Sequence, residues 1–262
     1  MLKVEFNGHS AGIEDMHRVA TWNYGHFTSM QVRQGAVRGL DRHLERLARA
    51  SRELFPDAAD GGPDRLRGLI RHALDGEGDA TVRVTVIPRD GEMAATDVMV
   101  SVSEPLTDAP EPAWLVRAVT YERDLPHLKH VATMGLTHQL RQAREAGFDD
   151  VLFVGRDGYV REGSEWNVAF WDGARVVWPE AEALPGIAMH LLRQGLRRTG
   201  VPWTARRVAV GALAGFTAAA ATNSSCPSQP LARIGGTSFP GDDGTLDAVL
   251  RSAWAEVPWD VL

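Results

Sequence analysis

The stretch that decides the fold runs from Leu125 to Gly186. It opens as Leu125-Pro-His-Leu-Lys-His-Val131 and continues through Ala146-Gly-Phe-Asp-Asp-Val-Leu-Phe153 and Gly158-Tyr-Val-Arg-Glu-Gly-Ser164. It closes on Leu184-Pro-Gly186. Its centre is Lys129. Of 28 Lys and Arg residues only Lys3 and Lys129 are lysines, so a chain that writes nearly every cation as Arg has kept an amine here. An amine can lose its proton and become a nucleophile, whereas a guanidinium stays charged. Schiff-base chemistry therefore needs Lys. The bland alternative is a solvated Lys.

Outward from Lys129 the second half alternates strands and helices. His138 to Ala146 reads as a helix stopped by Gly147, and Asp150–Val154 as a strand. Asp157-Gly158 is a turn, and Tyr159–Arg161 its return strand. Asn167–Trp171 and Arg175–Trp178 flank Asp172-Gly173, a hairpin signal. Ile187–Arg198 is helical between Gly186 and Gly200. Thr217–Thr222 and Pro230–Ile234 surround the polar turn Asn223-Ser224-Ser225. A last helix starts near Thr245.

The first half begins with a short strand, Val4–Phe6, ending at Asn7-Gly8. Thr28–Val32, Gly35 and Val37 read as a hairpin. The clearest helix is Asp41–Phe55, with Leu40, Leu44, Leu47, Ser51 and Leu54 at helical spacing. Leu66–Leu74 is a second helix. Thr81–Ile87 and Asp97–Val102 pair around Arg89-Asp90-Gly91, and Trp114–Val119 follows a proline-bearing linker, Pro105–Pro112. Mixed strands and helices with many hairpins argue an α+β fold. The expected division is 1–112 and 113–262, the second part carrying Lys129.

Net charge is −6 and pI about 5.8, which argues against a nucleic-acid binder. No apolar run reaches membrane-spanning length, and a cytoplasmic location is expected. The single cysteine, Cys226, excludes an internal disulfide and a Cys-based zinc cluster, and no metal site is read.

Four pieces occur together in order: His43-Leu-Glu-Arg46-Leu47; Leu128-Lys129-His130; Ala146–Phe153 with Gly158–Ser164 and Asn167-Val168; and Leu184-Pro-Gly-Ile187. The set resembles the class IV aminotransferase family, the fold-type IV pyridoxal-phosphate enzymes, over residues 24 to 235. The resemblance implies a smaller N-terminal α/β domain, a larger C-terminal domain with a barrel-like sheet, pyridoxal 5′-phosphate between them, and a homodimer. It implies that Lys129 forms the internal aldimine and shuttles the substrate α-proton. Glu162 would meet the pyridine nitrogen. Arg46 would hold the cofactor phosphate, joined by the Ile187-Ala188 helix start and by Ser224 and Ser225. Tyr24, Phe27 and Thr28 would line the substrate pocket, and Arg83 would meet a substrate carboxylate.

Unaided by the resemblance, each residue has an ordinary reading. Glu162 could be a surface acid after a hairpin, Arg46 a solvated helix Arg, and Arg83 the solvent half of a β alternation. The chain also departs from the family pattern. Ala132 and Thr133 stand where many members have Asn, and Ala188 stands where Thr is usual. The resemblance implies transfer of an amino group between an amino acid or amine and a 2-oxo acid. Two alternatives stay open. One is an aminodeoxychorismate lyase-type C–C lyase, which Thr28 and Leu128-Lys129-His130 favour. The other is a non-catalytic relative.

Overall fold

The computed structural model describes residues 2–58, 61–91, 93–109, 112–239 and 243–262. In chain order the elements are β1 (Leu2–Phe6), β2 (His9–Ser10), α1 (Ile13–Thr21), β3 (His26–Arg33), β4 (Ala36–Arg38), α2 (Leu40–Leu54), α3 (Gly62–Leu74), β5 (Ala80–Pro88) and β6 (Thr96–Ser103). Then come β7 (Trp114–Thr120), α4 (Met134–Glu145), β8 (Asp150–Val154), β9 (Val160–Gly163), β10 (Asn167–Trp171), β11 (Val176–Pro179), α5 (Ile187–Thr199) and β12 (Trp203–Arg206). A 3₁₀ turn over Val210–Gly215 precedes β13 (Ala218–Thr222), β14 (Gln229–Ile234), β15 (Thr237–Ser238), α6 (Thr245–Ala255) and β16 (Trp259–Val261).

The chain forms two compact units. The first comprises Met1–Leu106, Leu128–Ala132 and Pro258–Leu262; the second comprises Thr107–His127 and Thr133–Val257. This differs from a single cut after residue 112. Strand pairing is the reason: His130 bridges His26, and β16 pairs with β4, so two later segments belong with the first unit. Lys129 therefore sits in the first unit rather than the second. Residues 110 and 111 of the expected linker lie outside the described residues.

The first unit is an antiparallel sheet in the order β16-β4-β3-β5-β6-β1-β2. One face is covered by α2 and α3. The leucines of α2 recur every three or four residues, so Leu40, Leu44, Leu47 and Leu54 share one stripe against Met30, Val32, Val82, Val84 and Val100. Each such buried leucine contributes roughly 1.5–3 kcal/mol. Because side chains alternate along a strand, His26, Thr28, Met30 and Val32 point to this face, and Phe27 and Ser29 to the other.

The second unit is a mixed sheet, β12-β11-β10-β13-β14-β7-β8-β9, with β15 beside β14. The β11–β12, β14–β7 and β7–β8 pairs are parallel. It curls into a half-barrel. The two ends of the strand order are tied where Val160 N–H donates to Val208 and Tyr159 bridges Ala209, just beyond β12. Its interior is packed by Val116, Leu152, Trp166, Val168 and Phe170. Trp166 is thus a core residue.

Candidate active site

In the first unit the segment around Lys129 bridges the start of β3 through His130 and His26. Phe27 N–H donates to Lys129 O at 2.8 Å, and Val131 N–H to Gly25 O at 3.0 Å. Gly25 permits this edge: it lies at φ +156°, and a Cβ there would stand 2.6 Å from Val86 O. Opposite residues of an antiparallel pair share a face, so Lys129 lies on the side of Phe27. Its Nζ sits 4.8 Å from the centre of the Phe27 ring, and the guanidinium of Arg83 lies 3.6 Å from the same centre. Arg83 stands opposite Ser29 in the β3–β5 ladder. Three residues expected to work together are thus gathered on one ring. Tyr24 is more peripheral: it is part-exposed, edge-on to Phe55, with its hydroxyl 3.4 Å from Leu54 O.

Arg46 projects from α2 toward β3 and is only 8% exposed. It is therefore not a solvated helix Arg. One Nη donates to Thr28 Oγ1, while its Nε is buried without a partner. Among the described residues no carboxylate pairs with it. Burial, with the Arg49 charge added, pushes its pKa down to about 9. An unneutralised buried cation is costly, and the arrangement calls for an anion. Thr28, expected at the substrate pocket, is fully buried on the α2 face, with its hydroxyl also 2.6 Å from His43 Nδ1.

In the second unit Glu162 lies within β9 and is buried, so it is not a surface acid. Its Oε1 accepts from Arg123 Nη1 at 2.8 Å and its Oε2 from Leu184 N–H at 3.1 Å. Gly163 must be glycine, because a Cβ there would overlap the Trp166 ring. Asn167 Nδ2 donates to Leu184 O at 3.0 Å. The Leu184–Gly186 loop is thereby fixed at both its N–H and its carbonyl before α5 begins. No side chain caps α5, and Ile187 and Ala188 are buried in its first turn. The first N–H groups of a helix have no partner within it and suit an anion.

Ser224 and Ser225 are half-buried in a turn that Asn223 caps, its Oδ1 accepting from Ser225 N–H and Cys226 N–H at 2.9 Å. Thr222, just before the turn and opposite Asn167 in the ladder, has a buried hydroxyl without a partner.

The sequence profile of class IV aminotransferases (Amino-transferase class IV) matches residues 25–234. The chain belongs to the class IV aminotransferase family. No curated protein sequence matches it. Among solved structures it is similar to the T.th. branched-chain amino acid aminotransferase complexed with N-(5′-phosphopyridoxyl)-L-glutamate. That match has a TM-score of 0.84 at 18% identity and covers 97% of this chain and 93% of the other. The Escherichia coli branched-chain aminotransferase gives 0.83 at 17%, covering 97% and 93%. A hypothetical aminotransferase from Mycobacterium tuberculosis, in its apo form, gives 0.84 at 18%, covering 98% and 99%. These likenesses show that this class IV family member has the fold-type IV architecture.

Three side chains escaped the sequence reading. Arg123 carries no local pattern, and its importance appears only once its partner is seen to be the buried Glu162. His43 was inside the quoted motif but had no role. Thr222 looked like the end of an alanine-rich strand. Only the buried hydroxyl next to a serine turn gives it away. Among the described residues no His, Cys, Asp and Glu cluster could hold a metal, and no helix is long and apolar enough to cross a membrane.

Proposed function

We propose that the chain is a pyridoxal-phosphate-dependent aminotransferase that moves an amino group between an amino acid or amine and a 2-oxo acid. The observation that carries this reading is the placement of Lys129 on the Phe27 ring that Arg83 also covers. Each unit carries groups of the kind the cofactor needs. Among the described residues Arg46 has no carboxylate counter-ion, the start of α5 is uncapped, and Thr222 has an idle hydroxyl, all of which suit a phosphate. Glu162 supplies a carboxylate for a pyridinium. The phosphopyridoxyl ligand of the T.th. relative supports the same assignment.

When bound, the cofactor supplies a protonated pyridine ring that draws electron density from the substrate α-carbon. The other roles belong to this chain. Lys129 would hold the cofactor and, as an amine at the substrate α-carbon, would take the α-proton and return it. Glu162, kept in place by Arg123 and Leu184 N–H, holds the ring nitrogen's proton. Arg46, the N–H groups of Ile187 and Ala188, and the hydroxyls of Ser224 and Ser225 hold the phosphate. Arg83 meets the substrate carboxylate, with Phe27 and Tyr24 beside it. A homodimer is expected on the same family grounds.

The lyase reading rested partly on Thr28. Its hydroxyl is engaged by Arg46 and His43. The test is a half-reaction. The enzyme is incubated with L- and D-amino acids or amines, without a keto acid, and separately with aminodeoxychorismate. Conversion of the bound cofactor to its amine form by a panel member is the expected result. Catalytic release of pyruvate and 4-aminobenzoate, without the amine form accumulating, would replace the reading with the lyase. A protein that binds no cofactor would be a non-catalytic relative.

A further inference from the structure

Arg46, Thr28 and His43 form a buried chain of hydrogen bonds that the motif reading does not explain. A hydroxyl has one proton to give and lone pairs to accept. A guanidinium can only donate, so Thr28 Oγ1 accepts from Arg46. Its second contact is with His43 Nδ1, 2.6 Å away; the hydroxyl donates to a bare Nδ1 or, through its other lone pair, accepts from Nδ1–H, according to the tautomer. Burial first, then the charges of Arg46 and Lys129, hold His43 well below the ordinary imidazole range, so the ring is neutral.

The sequence spacing makes this possible. His43 and Arg46 are three residues apart on α2 and share a face. Thr28 lies on the face of β3 that α2 covers, with Met30 and Val32. The hydroxyl is thus delivered from the sheet to the helix.

We propose that Thr28 and His43 are positioning residues that set Arg46 for a phosphate-bearing ligand. Thr28 clamps one Nη of Arg46, and His43, hydrogen-bonded to the same hydroxyl, holds that oxygen in place against Arg46. The clamp leaves Nε and the remaining donors for the phosphate. An arginine side chain has many rotamers, and fixing it beforehand lowers the ordering cost of binding. This inference rests on the reading of Arg46 as the phosphate ligand of pyridoxal phosphate.

The test compares pyridoxal phosphate with pyridoxal, which has the aldehyde but no phosphate. Both are titrated into full-length protein stripped of cofactor, with the near-visible absorbance band as readout. Thr28→Val should raise the Kd for pyridoxal phosphate on the order of tenfold, the loss of one charge-assisted contact, and leave pyridoxal unchanged. Thr28→Ser should restore the preference. His43→Leu should behave like Thr28→Val, while His43→Asn, which keeps a hydrogen-bonding amide near the Nδ1 position, should resemble the wild type. The His43 pair decides the matter if Thr28→Val does not fold. Equal weakening of both ligands, or an unchanged ratio in Thr28→Val and His43→Leu, would overturn the proposal. A wild-type protein that binds both ligands equally would instead remove the Arg46 reading beneath it.

Discussion

Arg123 donates from Nη1 to Oε1 of Glu162 at 2.8 Å, and the two side chains are only 7% and 8% exposed. Arg123 also donates to Pro126 O at 3.1 Å. The pair therefore links the acid proposed for the cofactor ring to the start of the segment that leads to Lys129. Removing one partner of a buried pair strands the other charge, which costs about 3–5 kcal/mol. Arg123→Met should lose stability of this order in urea unfolding. Adding Glu162→Gln to it should recover part of the loss, because the stranded charge is gone. A single variant as stable as the wild type would mean that the pair carries no weight.

Gly186 is another point where the backbone has no room. A Cβ there would overlap the Asn167 amide oxygen that accompanies the Leu184 contact. Gly186→Ala should cost about 1–3 kcal/mol from overpacking and displace the first turn of α5. Cofactor retention through dialysis should fall with it. An Ala variant that keeps both stability and cofactor would show that the loop is not held as described.

Much of this was legible in the sequence, for physical reasons that differ by element. The α2 stripe of leucines gave a helix expected over 41–55, and it runs over Leu40–Leu54. The strands around Arg89-Asp90-Gly91 pair antiparallel, Thr81 with Ser103 through Pro88 with Thr96. Helix α1 is absent from the sequence reading although Ile13, Met16 and Ala20 recur at helical spacing; the helix is short and none of its residues is buried. Strand β16 was missed because three residues carry no periodicity, and its partner β4 lies more than two hundred residues away. The same limit explains the placement of Lys129. Its membership of the first unit comes from a single bridge to β3, a long-range pairing that no local pattern announces. For the proposed site, chemistry and motif single out Lys129, Arg46 and Glu162. They do not single out Arg123 or give His43 a role, since each depends on a partner distant in sequence.

His26 gives a pH dependence. It is buried beside Ser51, its Nε2 3.0 Å from Ser51 Oγ, and burial followed by the Arg46 charge lowers its pKa from 6.5 to about 4. The unfolded chain then binds the extra proton first as pH falls. Stability from the neutral ring is present above pH 6.5 and is lost as pH drops toward 4, at about 1.4 kcal/mol per pH unit for this group. Chemical unfolding at pH 7, 6 and 5 should show the decline, and His26→Gln should make it shallower, leaving the part that His43 contributes. An equally steep profile in the variant would assign the dependence to other groups.

Arg83 separates substrate from cofactor. If it meets the substrate carboxylate, Arg83→Ala should raise KM for amino acid donors on the order of tenfold to a hundredfold, the worth of a charged hydrogen bond. The cofactor absorbance band should stay as in the wild type, and an amine donor without a carboxylate should be little affected. Equal effects on amino acids and simple amines would place Arg83 outside the substrate site.

The central claim is that Lys129 is the residue on which the cofactor is held. The most direct measurement is to load the protein with pyridoxal phosphate, reduce it with borohydride, digest it and locate the label by mass spectrometry. Only two lysines exist, Lys3 and Lys129, so the outcome is unambiguous. The predicted result is one reduced phosphopyridoxyl group per chain, on the peptide containing Lys129, and none in Lys129→Ala. Label on Lys3 alone, or a loaded protein with no near-visible band and no label, would contradict it.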